Sequence, residues 1–448
     1  MNKIIFSTVI ILMSGSILNA QEQMRLSLRE CVQTAVSENI NIKTVRFEHE
    51  KSQYKKAEAI SAIIPKINIG ANFQDNITLP TTMLPGEIIG APGTTVPVKM
   101  GSNFNTNAAA TLNWVLYNQT ALTALQLSRK VVEISDLSIE KAAEELTAEV
   151  AKLYFLTVIT AQQRGIVVEN ITRTKQMQGI TKLLIDNGMA RQVDYDRISI
   201  SLENLNTQLD NVETGLEQQL NMIKYMLNIP LDKTVVLTDT YQMQLLQDMP
   251  GALSDFSDHI DIRMLASQNE MNLLNQKMIK SGYMPSLSFT WQYSYQGMRR
   301  EFRNYFNSSP ENVWHNASYI GLNLSIPIFD GGEKRSKTMQ ARMDYQKTEM
   351  LLTNRQERFL ADYQNAVNTY RNNRANVERQ RQNIALAEKV YEETAMRYRE
   401  GLSSMSDLLQ DEMSMSSAQA NYLTALYNYK EAELKIMSLN GEIKNLYK

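Results

Sequence analysis

Residues 286–295 read SLSFTWQYSY. Side chains of a strand point alternately to its two faces. Leu287, Phe289, Trp291, Tyr293 and Tyr295 therefore share one face, and Ser286, Ser288, Thr290, Gln292 and Ser294 share the other. One face is apolar and its reverse is polar but uncharged. Over a length of about ten residues, that is the pattern of a membrane β-strand with a wet interior behind it.

The pattern occurs three more times. Ile320, Leu322, Leu324, Ile326 and Ile328 oppose Tyr319, Gly321, Asn323 and Ser325. Ile67, Ile69, Ala71 and Phe73 oppose Asn68, Gly70, Asn72 and Gln74. Phe104, Thr106, Ala108, Ala110, Leu112, Trp114 and Leu116 oppose Asn105, Asn107, Thr111 and Asn113. Strands are expected at about 66–76, 104–116, 286–296 and 318–329. Between the first two, Pro80, Pro85, Pro92 and Pro97 mark a turn-rich excursion.

Around the strand pairs the period changes to that of a helix. Ser27 with Glu30 forms a capping box for a first helix, expected to run to about Ile64, before Pro65. Phe359, Tyr363, Ala366, Tyr370, Asn373, Val377, Gln380, Ile384, Ala387, Tyr391, Thr394 and Tyr398 advance in steps of four and three. Val132, Ile139, Leu146 and Leu153 recur every seven residues. Sustained heptads predict coiled-coil packing. The seam is rich in Ala, Ser, Thr and Asn, so it is narrower and more polar than a leucine zipper. A helix from about 331 to 399 would be ~100 Å long at 1.5 Å per residue. Gly188 and Gly401 suit the left-handed residue that ends a helix, predicting two antiparallel hairpins with tips at about 187–192 and 400–405.

The chain repeats itself. Asn39–Lys43 matches His259–Arg263 and Pro65 matches Pro285, both at an offset of 220. Ile185–Gly188 matches Tyr398–Gly401, Asp194 matches Asp407, and Asn113–Leu116 matches Ile326–Phe329, all at an offset of 213. Two structural repeats are expected, 21–228 and 259–448, joined by an inter-repeat, equatorial segment at 229–258. Lys3, the apolar run from Ile4 to Leu12 and the small-residue exit at Ala20 read as a secretory signal peptide over 1–20.

Composition narrows the function. The 448 residues carry a net charge of −2, which gives no electrostatic case for a nucleic-acid partner. Three histidines and one cysteine supply no thiolate zinc site, disulfide frame or redox pair. Cys31 reads as an apolar helix residue. Residues 331–338 lack the spacing of a phosphate-binding loop, and no catalytic residues, metal site or cofactor are expected. Two readings remain: a membrane channel, and a secreted or periplasmic coiled-coil scaffold without channel activity. The scaffold explains the heptads and leaves the four strands unexplained.

The signal peptide and the twice-repeated order helix–strand–strand–helix–helix resemble the TolC-like outer-membrane efflux protein family. So do the opening Leu26–Glu30, Ala35, Glu38 and Asn39, the strand exit Ser325–Gly332, and Tyr398–Gly401 followed by Asp407, Leu408 and Leu409. The resemblance spans the mature chain. It implies a mixed α/β membrane protein, with long antiparallel coiled-coil hairpins and four transmembrane strands per subunit. A homotrimer would complete a twelve-stranded barrel in outer-membrane lipid and a helical tunnel through the periplasm. Partners would be a periplasmic adaptor and an inner-membrane pump of RND or ABC type; drug efflux, metal efflux and type I protein export all stay open.

The resemblance also assigns roles. Gly188, Met189 and Ala190 with Gly401, Leu402 and Ser403 match adaptor-contacting tips. Asp407 matches the first aspartate of an acidic pore constriction. Gln410 stands where the second is expected, and Asp411 lies about 100° further round the helix. Asp194 and Tyr398 match a hydrogen-bonded gate link. The arginine that reinforces this link in the family is Ser403 here, with Arg191, Arg397 or Arg399 as substitutes.

Overall fold

A computed structural model describes residues 23–90, 92–238, 256–308, 310 and 312–448; the expected signal peptide and most of the inter-repeat segment lie outside the described residues. The chain forms two compact units. One comprises the described parts of 1–46, 138–262 and 355–448, and the other 47–137 and 263–354. Each unit therefore combines segments from both halves of the chain.

In the second unit the chain makes a four-stranded antiparallel sheet. Its strands are β2 (Lys66–Asp75), β5 (Phe104–Asn118), β7 (Ser286–Arg299) and β8 (Trp314–Ser325), ordered β2-β5-β7-β8. Register places the four apolar faces together: Ile67 opposes Leu112, Leu112 opposes Trp291, and Trp291 opposes Ile320. The polar faces also coincide, with Asn113 opposite Thr290 and Gln292 opposite Tyr319. Apolar side chains on the first face stay open in the single chain, 82% exposed at Ile69 and 71% at Ile320. Such a face is suited to hydrocarbon.

Three local expectations needed revision. The ladder shifts between Val115 and Tyr117, so Tyr117 rather than Leu116 pairs with Leu287, and β5 runs on to Asn118. The extra residue of a bulge rotates the following side chains. The last strand lies earlier than 318–329: it starts at Trp314 and stops at Ser325, before Pro327, which has no N–H for the ladder. The excursion between β2 and β5 contains a hairpin of β3 (Thr81–Pro85) and β4 (Thr95–Lys99).

The first helix is also interrupted. α1 (Leu28–Glu38) begins with the expected box, where the Ser27 N–H donates to Glu30 Oε2 at 2.7 Å. Asn39 then turns extended, and α2 (Ile40–Ser61) starts afresh. The Asn39 amide donates to the Met226 carbonyl at 2.8 Å, and its side-chain oxygen accepts the Asn41 N–H at 2.9 Å. A tertiary bond thus rewards the break. Cys31 is fully buried beside Val32, Ala35, Ile42, Tyr154 and Ile223. Before α1, β1 (Met24–Leu26) pairs in parallel with β6 (Val235–Leu237).

The remaining helices are α3 (Gln119–Asp186), α4 (Gln192–Met226), α5 (Ile260–Ser281), α6 (Glu333–Arg399) and α7 (Met405–Leu439). The seam of α6 packs inward as its period requires, with Phe359, Tyr370, Val377, Tyr391 and Tyr398 all buried. Among the described residues, no helix is long and apolar enough to cross a membrane.

At the start of α5, Asp261 accepts from Lys141 at 2.7 Å and from Arg355 at 2.6 Å. Burial alone would raise this carboxyl, but the two cations outweigh it and leave Asp261 below the ordinary range. A depressed pKa stabilises the fold above the unfolded value and loses that stabilisation as pH falls through the folded value. The loss is expected below about pH 4. Asp261→Asn should lower the thermal midpoint at pH 7 and flatten its fall on acidification. Superimposable midpoint curves for variant and parent from pH 7 to 3 would show that the three-residue cluster is silent.

Candidate functional site: the hairpin tips

Both tips end on the same backbone device. Gly188 takes φ +75° and Gly401 φ +74°. The Gly188 N–H donates to Ile185 O at 2.8 Å and the Met189 N–H to Leu184 O at 2.7 Å. At the other tip, Gly401 donates to Tyr398 O at 3.0 Å and Leu402 to Arg397 O at 2.8 Å. This crossed pair satisfies the last carbonyls of a helix through a left-handed residue. Met189 and Leu402 are left 63% and 73% exposed, an apolar pair at the tips. The Met189 methyl lies 4.0 Å from where a Gly401 Cβ would stand, so the tips are level with each other.

α4 and α7 each begin with an aspartate three residues past the cap. Asp407 Oδ2 accepts the Ser404 hydroxyl at 2.7 Å, the Ser404 N–H at 3.1 Å and the Ser403 hydroxyl at 3.4 Å. These bonds, led by the Ser404 hydroxyl, hold its carboxyl below the usual range. Asp407 is exposed and anionic. Gln410 and Asp411 line an open cavity of about 760 Å³ between α6 and α7, with Gln380 and Asn383. Asp407 is not among the residues lining it.

Asp194 is only 7% exposed. It accepts the Arg191 N–H at 3.3 Å and the Arg191 guanidinium at 3.4 Å. Arg197 lies 3.8 Å from it and donates to Ser406 at 2.9 Å, tying the start of α4 to the start of α7. Tyr398 is buried, and burial pushes its phenol up. Its hydroxyl sits 3.3 Å from Thr181 Oγ1, not on Asp194. The expected Tyr398–Asp194 hydrogen bond is therefore corrected: α3 supplies a hydroxyl partner inside the core, while arginines satisfy the aspartate. Of the three candidate arginines, Arg191 holds Asp194; Arg397 pairs with Glu393 at 3.0 Å.

Above the tips lies a polar layer that the sequence reading missed. Glu412 is buried and accepts hydroxyls from Thr174 and, at 3.2 Å, Ser201. Asn170 donates to Gln419 at 3.0 Å, and Arg173 donates to Asn170 at 2.7 Å while lying over the Tyr391 ring. The signal was available. Met405, Leu408, Met415 and Leu423 trace the apolar seam of α7, and Glu412 and Gln419 occupy the intervening seam positions. A buried polar group costs more than a lost hydrogen bond unless it is satisfied, so such a layer fixes which helices meet. A cavity of about 530 Å³ adjoins it, lined by Arg197, Ser201, Glu412 and Met413.

The outer membrane efflux protein family profile matches residues 31–228 and 261–442, in two segments. The chain belongs to the outer membrane efflux protein family. It is 23% identical over 392 residues to the outer membrane protein TolC of Vibrio cholerae, covering 86% of this chain and 83% of that protein. To the TolC of Escherichia coli it is 19% identical over 432 residues, covering 93% and 82%. Among solved structures it resembles the outer membrane protein VceC of Vibrio cholerae. The TM-score is 0.74 at 13% identity, over 92% of this chain and 96% of VceC. The fold is that of these outer-membrane channels, with long helical hairpins and a four-stranded antiparallel sheet. As a family member the chain is an outer-membrane efflux channel of tripartite systems, with its long helices in the periplasm. The scaffold reading falls, because it gives the apolar sheet face no purpose.

Proposed function

We propose that three copies of this chain close one duct, which takes substrate from an adaptor-coupled inner-membrane pump and releases it outside the cell. The observation that carries this reading is the sheet itself. β2 and β8 each have a strand neighbour on one side only, yet the apolar face they share is suited to lipid. Unpaired strand edges are not tolerated in hydrocarbon. Two copies would supply eight strands, a barrel filled by side chains, whereas twelve leave an aqueous lumen. The polar faces, with Asn68, Asn113, Thr290 and Gln292, would line it.

In this arrangement Asp407 with Gln410 and Asp411 narrows the periplasmic entrance, and the Asp194–Arg197–Ser406 tie with the Tyr398–Thr181 contact holds it closed. The exposed tips at Gly188–Ala190 and Gly401–Ser403 receive the adaptor. The pump is of RND or ABC type, and the chain's task is transport rather than catalysis. Purified protein in mild detergent should have the mass of a trimer that dissociates on heating. Recovery as a water-soluble monomer would falsify the duct.

A further inference from the structure

In the hairpin unit α3 and α7 lie centrally, and α4 and α6 flank them. α4 bonds to α3 through Arg164–Glu213 and Gln178–Ser199, and to α7 through Arg197–Ser406. α6 bonds to α7 through Tyr370–Tyr429 and to α3 through Tyr398–Thr181. Among the described residues no hydrogen bond or ion pair joins α4 to α6. Each flanking helix keeps an outward face.

Those faces carry opposite charge. On α4, Asp196, Glu203, Asp210 and Glu217 recur every seven residues, all exposed and none ion-paired within the chain, and Arg197 is the only base between residues 192 and 218. On α6, Arg371, Arg374, Arg379, Arg381 and Lys389 are exposed, against two acids in that stretch, Glu378 and Glu388. Of these five bases only Arg381 is ion-paired within the chain, to Glu378 at 3.9 Å. We propose that α4 of one copy packs antiparallel to α6 of the next, its acidic stripe meeting the basic one. This rests on the trimeric reading above and supplies the contact that builds it.

Height along the hairpins supports the pairing, since the two tips are level. Glu203 stands 15 residues from Gly188, and Lys389 stands 12 from Gly401. Asp210 is 22 residues away, Arg379 22 and Arg381 20; Glu217 is 29, Arg374 27 and Arg371 30. At 1.5 Å per residue, a mismatch of three residues is about 4.5 Å, within reach of a lysine or arginine side chain. A chain bearing both stripes on opposite flanks makes a head-to-tail contact, which closes into a ring when the rotation between copies is a whole fraction of a turn.

Exposed ion pairs are individually weak, so several must be reversed together. One variant reverses α4 (Glu203→Lys, Asp210→Lys, Glu217→Lys), a second reverses α6 (Arg374→Glu, Arg379→Glu, Lys389→Glu), and a third carries both sets. Subunit exchange between differently tagged trimers is followed in mild detergent at low and high salt. Each single-stripe variant should exchange at least roughly tenfold faster than the parent at low salt. The difference should shrink at high salt, and the combined variant should recover most of the loss. Parental exchange in both single-stripe variants, or no recovery in the combined one, overturns the pairing. So does normal exchange with adaptor binding lost, which would give the stripes to the adaptor. Should a reversal misfold, the neutral set Glu203→Gln, Asp210→Asn and Glu217→Gln must exchange faster than the parent, and parental exchange there is equally fatal. A parent protein that is itself monomeric would remove the trimeric duct and this contact together, a result distinct from a stable trimer indifferent to its stripes.

Discussion

Ala110→Arg will abolish assembled channels in the outer membrane, whereas Ala109→Arg, one residue earlier, will leave them assembled and shift their ion selectivity toward anions. Ala110 sits mid-strand on the apolar face, opposite Ile69 on one side and Tyr293 on the other. Ala109 faces the polar side, opposite Gly70 and Ser294. An arginine facing lipid near the membrane midplane costs about 2–4 kcal/mol, and a trimer would bear that cost three times. An arginine in a water-filled lumen keeps its hydration and adds a ring of positive charge instead. Trimer yield in membrane fractions and reversal potentials in planar bilayers read the two outcomes. Equal assembly of both variants would mean that the alternation does not separate lipid from lumen.

Arg197→Met combined with Ser406→Ala will open the periplasmic end. The pair removes the tie between the starts of α4 and α7 but leaves Asp194 bonded to Arg191, so the cap of α4 survives. Hydrogen bonds involving a charged group contribute about 1.5–3 kcal/mol. Arg197 is 45% exposed at its side chain, which reduces this to about 1 kcal/mol per chain. Three chains moving together would shift the closed–open balance roughly hundredfold. Single-channel conductance should rise, and cells should admit bulky antibiotics, with trimer yield unchanged. Parental conductance from intact trimers would transfer the gate to the Tyr398–Thr181 contact or the buried Glu412 layer.

Much of this architecture is written in short-range periodicities. The alternation in β2, β5, β7 and β8 needs only neighbouring residues to specify it, and the seam of α6 advances by four and three without reference to any other element. Gly188 and Gly401 end their helices because a left-handed residue is required there, which is a property of the backbone. Asp194 and Asp407 were legible as equivalent positions for the same reason: each lies six residues beyond its tip glycine and starts a helix.

Partner choice was not legible. Tyr398 bonds to Thr181, Asp194 to Arg191, Glu412 to Thr174 and Ser201, and Asn39 to Met226. Most of these pairs are separated by 187 to 238 residues, and only Asp194–Arg191 is local. Heptad periodicity states that a face will be covered, but any helix with a matching seam can cover it. The folded packing, in which α3 and α7 sit between α4 and α6, decides which hydroxyl, amide or guanidinium meets each buried polar group. The physical reason is that a buried hydrogen bond must be satisfied by whichever group the packing brings within about 3 Å, and periodicity carries no information about that group.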